Sequence, residues 1–168
     1  MGFNSLRDVL QEQLEDLHSA ETQLVTALPK MARAAGHDEL RETFETHLEE
    51  TRGHVRRVEE ALGELGVSHP TEVCKGMQGL IAEGEEMISI QGDPTAKDAA
   101  LIGAAQRVEH YEIAGYGTAR QLADDCGFDG IKDLMDQTLD EESQADKLLT
   151  KIATGGMFKA GVNQQATS

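Results

Sequence analysis

Apolar residues recur along this chain at alternating steps of three and four, the period of helices that each bury one face. On that pattern, helices are predicted over residues 4–35, 37–65, 71–90, 95–126 and 131–153. Glycines at 36, 66, 92, 127 and 155 punctuate them, and Pro94 follows Gly92-Asp93 where a new helix can start. Pro29 falls inside the first helix, where it removes a hydrogen bond and should kink the end. No segment shows the two-residue alternation of a strand. The expected fold is all-α: four long helices in two hairpins, with one short helix between the halves.

The interruptions of the apolar stripes carry the chemistry. In the first helix Leu10, Leu14, Leu17, Leu24 and Leu28 leave one step vacant, and Glu21 fills it. In the helix over 95–126, Leu101, Ala105, Val108, Gly115, Ala119 and Leu122 leave a vacancy filled by Glu112. The second helix places His47, Glu50 and His54 between Leu40, Phe44 and Val58, Leu62. The last places Glu142 and Asp146 between Ile131, Met135, Leu139 and Leu149, Ile152. Glu21 and Glu112 lie 91 residues apart, whereas Glu50 and Glu142, like His54 and Asp146, lie 92 apart. The chain therefore reads as two helical hairpins of similar design.

Residues four apart share a helix face, so Glu50 with His54 and Glu142 with Asp146 each form a converging pair. Burying four carboxylates among leucines without counter-charge costs several kcal/mol each. Two divalent cations remove that cost, in the arrangement of ferritin-like carboxylate bundles. Oxygen-rich ligands with imidazole suit iron or manganese. The expected metal ligands are Glu21, Glu50, His54, Glu112, Glu142 and Asp146, although an aspartate in the last helix could equally face solvent. Glu109, His18 and His47 form a second tier: each shares a face with an expected ligand and could either ligate or hydrogen-bond one. Tyr111 and Tyr116 are read as packing groups that could also hydrogen-bond the centre, and Cys74 and Cys126 as small apolar groups.

Composition narrows the partners. The 168 residues carry 31 acidic and 15 basic side chains, a formal charge of −16, with 4% aromatics and no Trp. That argues against nucleic acid and anionic membranes. No apolar run reaches the roughly 18 residues of a membrane span. No secretion signal opens the chain, so a cytoplasmic protein is expected. One domain is expected over 1–160, with a polar, fraying tail over 161–168.

Four segments, Leu17-His18-Ser19-Ala20-Glu21, Ala27-Leu28-Pro29-Lys30-Met31, His47-Leu48-Glu49-Glu50 with His54, and the stretch from Glu109 to Gly117, carry a resemblance. Together they resemble the YciE/YciF (DUF892) family of ferritin-like proteins. The resemblance implies a ferritin-like antiparallel four-helix bundle with a short extra helix, a homodimer, a di-metal centre and a bacterial stress association. The chain departs from the usual ferritin-like spacing in having Glu-x-x-x-His, and in having Asp146 where a second imidazole often stands. The leading expectation is a non-haem di-iron or di-manganese protein reacting with dioxygen or peroxide. The alternative is a metal-stabilised stress or interaction protein without turnover.

Overall fold

The computed structural model describes residues 2–156 and 159–167. Met1, Met157, Phe158 and Ser168, which the domain and tail expectations include, lie outside the described residues. The chain is mostly helical: α1 (Leu6–Ala34), α2 (Asp38–Glu64), α3 (Lys75–Ser89), α4 (Pro94–Cys126), α5 (Asp129–Thr154) and α6 (Val162–Gln165). Local chemistry fixes the ends. Ser5 and Asp8 cap α1 reciprocally, and Asp93 accepts from the backbone of Thr95 and Ala96 with Pro94 at the first turn of α4. Gly127 ends α4 at φ 76°, a left-handed conformation that costs glycine nothing. Pro29 lies within α1, as its position in the sequence predicted.

The four long helices close a ring: α1 packs on α2, α2 on α5, α5 on α4 and α4 on α1. The short α3 lies against α1 and α4. Apolar burial divides into two clusters. One, around Leu24, Phe44, Leu101 and Ile152, includes the residues under α3; the other, around Leu14, Val58, Tyr116 and Met135, fills the opposite end. Each fully buried Leu or Phe contributes about 1.5–3 kcal/mol. Asp98 of α4, itself buried, accepts from the backbone N–H groups of Gly36 and His37 at 2.8 Å each, tying the α1–α2 turn to the second half of the chain.

The N-terminus of α3 is pinned to α1 and α4. The Cys74 N–H donates to Ser19 Oγ at 2.9 Å, and Tyr111 Oη sits between Cys74 Sγ (2.9 Å) and Asp16 Oδ2 (2.8 Å). Gly76 makes room for that ring, since a Cβ there would stand 2.7 Å from Tyr111 Cε2. Cys74 is fully buried and burial pushes its thiol pKa up, whereas Cys126 is partly exposed. An alkylating reagent at neutral pH should therefore label Cys126 alone, Cys74 reacting only after unfolding. Labelling of both cysteines at equal rates in the native protein would contradict this packing.

Two segments depart from the expectation. A two-residue ladder pairs Gly155–Gly156 with Lys159–Ala160, too short to leave a strand pattern in the sequence. Beyond it, within the stretch expected to fray, Val162 is fully buried and α6 packs against α4 and α5. A single apolar side chain in a polar stretch is enough to dock it.

Candidate metal centre

The buried seam of α2 runs Leu40, Phe44, His47, Thr51, His54, Val58, Ala61, and that of α5 runs Ile131, Met135, Thr138, Glu142, Ala145, Leu149, Ile152. Corresponding positions are 91 residues apart throughout. This pairs His54 with Ala145 and Thr51 with Glu142, so the 92-residue equivalence expected from the sequence is off by one. One residue is about 100° of helical rotation. Glu50 and Asp146 accordingly sit beside the seam. The Glu50 side chain is 39% exposed and bonds His47 Nδ1 at 3.3 Å. Asp146 is 20% exposed, accepts from Gln106 Nε2 at 3.0 Å and lies 3.4 Å from the exposed His110. His18 lies outward, 3.4 Å from Glu59.

The other six candidates converge. Glu21 of α1, His47 and His54 of α2, Glu109 and Glu112 of α4 and Glu142 of α5 are all buried. They form two groups: His47, Glu109, Glu112 and Glu142, and Glu21, His54 and Glu142. Within each group one ligand-type atom per residue lies within 4.8 Å of all the others. Glu142 belongs to both.

The orphaned atoms define what the cluster needs. Among the described residues, Glu21 Oε2, Glu109 Oε2, both oxygens of Glu112 and both of Glu142 have no hydrogen-bond partner, nor do His47 Nε2 and His54 Nδ1. Buried polar atoms of this kind are normally paired. His54 Nδ1 lies 2.8 Å from Glu142 Oε1 and 3.4 Å from Glu21 Oε1, close but outside hydrogen-bond geometry. His47 Nε2 lies 3.5 Å from Glu109 Oε1 and 3.7 Å from Glu142 Oε2. Divalent cations accept electron pairs from carboxylate oxygens and imidazole nitrogens and so match the donor set of each group.

Protons are the substitute when no cation is held. Burial, then the charges of Glu142, Glu21 and Glu109, pushes the Glu112 carboxyl well above its usual range. Burial also pushes Glu109 well above that range and raises Glu21, with nearby His47 and His54 opposing it in turn. Glu142 goes the other way: burial raises it, but the imidazoles of His54 and His47 hold it below the usual value. Burial opposes protonation of the imidazoles too. Glu109 and Glu50 beside His47, and Glu142 and Glu21 beside His54, outweigh it, and each imidazole is pushed up to about 10.

An outer layer orients the donors. Tyr116 Oη donates to Glu21 Oε1 at 2.5 Å, leaving Oε2 to the cluster. His54 Nε2 pairs with Glu141 Oε2 at 2.9 Å, which turns Nδ1 inward. Glu141 is held in place by Arg57, whose Nε also donates to Thr138 Oγ1 at 2.8 Å. Such carboxylate–imidazole pairs set tautomer and ring angle at metal sites. Glu141 escaped the sequence reading. It adjoins Glu142 off the apolar seam, and only the packing of α2 on α5 reveals its partner.

Comparison with known proteins agrees with this architecture. The chain is 40% identical over 165 residues to Protein YciF of Escherichia coli (strain K12), spanning 98% of this chain and 99% of that protein. The crystal structure of the E. coli stress protein YciF superposes with a TM-score of 0.85 at 41% identity, over 89% of this chain and 94% of that one. YcfI from Rhodopseudomonas palustris gives 0.86 at 37% identity, over 89% of this chain and 96% of that one. A family model described as a domain of unknown function, DUF892, matches residues 5–167. The chain belongs to the DUF892 family.

Proposed function

We propose that the chain is a ferritin-like four-helix bundle that holds two divalent ions, iron or manganese, and reacts with dioxygen or peroxide. The observation that carries this reading is Glu142, which belongs to both ligand groups, has two unpartnered oxygens and would be shared by the two ions. His47, Glu109 and Glu112 would complete one position and Glu21 and His54 the other. A redox-active pair in such a site supplies electrons for the reduction of dioxygen or peroxide. The protein's own part is to bring four carboxylates together, fix His54 Nδ1 inward through Glu141, and orient Glu21 through Tyr116. Burial pushes the Tyr116 phenol pKa well up, so its proton stays on the oxygen and the hydrogen bond persists at neutral pH. The relationship to a protein described as a stress protein supports a role in the bacterial stress response, and the reading includes a cytoplasmic homodimer.

Elemental analysis of protein purified without tag or chelator tests the reading. About two iron or manganese ions per chain are expected, as in ferritin-like carboxylate bundles. No metal, and none taken up on titration of the folded protein, would refute it. The orphaned oxygens by themselves also favour a second reading, in which ions hold the helices together without turnover. Repeated rounds of Fe(II) oxidation by one protein sample separate the first reading from the second.

A further inference from the structure

An apolar cavity of about 40 Å³ lies beneath α3, walled by α1, α3 and α4 with Phe44 of α2. Leu28, Phe44, Ile81 and Val108 contribute to its sides. Its solvent end carries Lys30 and Glu85, half-exposed and joined Nζ to Oε1 at 2.6 Å. At its buried end stands Glu109, which also belongs to the His47, Glu109, Glu112 and Glu142 group and has an unpartnered Oε2. Apolar space therefore adjoins the carboxylate cluster directly.

Size and polarity select the occupant. A single water fills on the order of 10–15 Å³ by this measure but needs two to four polar partners. The lining is mostly carbon, with Glu109 the one charged group at the buried end, too few partners for a water there, and cavities of this kind take up xenon or small apolar molecules. The volume is far below the several hundred Å³ typical of a drug-sized ligand site.

We propose that this cavity binds a small apolar molecule of diatomic size, dioxygen, and holds it beside Glu109. The choice of dioxygen rests on the metal chemistry proposed above; the preference for a small apolar guest does not. The Lys30–Glu85 pair lies at the solvent rim of the cavity. Gly84 of α3 leaves the space open, because a Cβ there would meet nothing closer than Met31 Sδ at 3.9 Å.

Xenon tests the cavity independently of any metal. Xenon-pressurised crystals of the metal-free protein, and ¹²⁹Xe NMR in solution, should show xenon beneath α3. Gly84→Leu should abolish that occupancy by filling the space from α3, and Ala104→Leu should do so from α4. Neither residue belongs to the ligand groups, so metal content should be unchanged in both variants. Absence of xenon from the parent protein, or equal occupancy in both variants, would overturn the site. Stopped-flow mixing of the Fe(II)-loaded proteins with dioxygen should show several-fold slower oxidation in the filled variants. Xenon binding with unaltered oxidation rates would overturn dioxygen as the guest. If the protein takes up no metal, the proposed redox function fails while the xenon result still decides the cavity.

Discussion

A Glu112→Met variant is expected to lose metal and yet unfold at a higher temperature than the metal-free parent. Glu112 is fully buried, both its oxygens are unpartnered, and its neighbours Glu109, Glu142 and Glu21 disfavour its charge. A buried polar group left unsatisfied costs about 1–3 kcal/mol, and methionine of similar length removes it without opening a cavity. For a chain of this size each kcal/mol moves Tm by about 2–4 °C, so the gain should be several degrees. Metal affinity should fall by more than the roughly 10–100-fold typical of losing a supporting group around a site. Thermal melts and metal titrations of the two apoproteins check both halves. A variant that is less stable without metal, or that binds as tightly as the parent, would show that Glu112 is not a destabilising carboxylate kept for a cation. Opposite signs for stability and function are what a site retained against its folding cost produces.

How far that site was legible follows from where the signal lay. Glu21, Glu112 and Glu142 interrupt apolar stripes, and the folded chain buries all three completely, because a vacancy in a seam has nowhere else to point. His47 and Glu109, read as supporting groups, stand in one of the two ligand groups. Glu50 and Asp146 show the limit of the method. They satisfied four-residue spacing and a repeat offset, but the buried seams of α2 and α5 pass through His47, Thr51 and His54 and through Thr138, Glu142 and Ala145, which leaves both beside them. Spacing within one helix cannot reveal that register. In α4 the seam passes through Glu109, Tyr116 and Ala123, leaving Val108, Gly115 and Leu122 half-buried, again one step from the expected stripe. The five main helices were legible throughout, since period and punctuation are local. The pairings Tyr116–Glu21 and His54–Glu141 were not, since they join positions more than 80 residues apart.

Without metal, stability should fall as pH rises from about 5 towards 10, and added metal should reverse the trend. Glu21, Glu109 and Glu112 have raised pKa values in the folded chain, so the folded state binds more protons than the unfolded one above the usual carboxylate range. The two histidines act in the same direction. Raised from 6.5 to about 10, they contribute stability that is full below 6.5 and lost as pH climbs through 10. Glu142, held low, contributes above its unfolded value and loses that contribution only in stronger acid. Each proton bound only by the folded state gives a slope of about 1.4 kcal/mol per pH unit. Metal requires the same groups deprotonated, so its affinity should increase over this range. Melts with and without Mn(II) at a series of pH values should diverge as pH rises; at saturation near 100 times Kd the metal adds about 2.7 kcal/mol. Parallel curves would mean that the cluster releases no protons on binding.

The division of the ligands between the halves of the chain has a topological consequence. Neither group can be completed by one hairpin: the first joins His47 to Glu109, Glu112 and Glu142, the second joins Glu21 and His54 to Glu142. An ion held in either would close, between the halves of the chain, loops of 62 to 121 residues, the long closures that gain most when chain entropy is counted. Both cysteines are free. With such an ion bound, long-range fastening in this chain would rest on a link that a proton or a chelator opens, with no disulfide beside it.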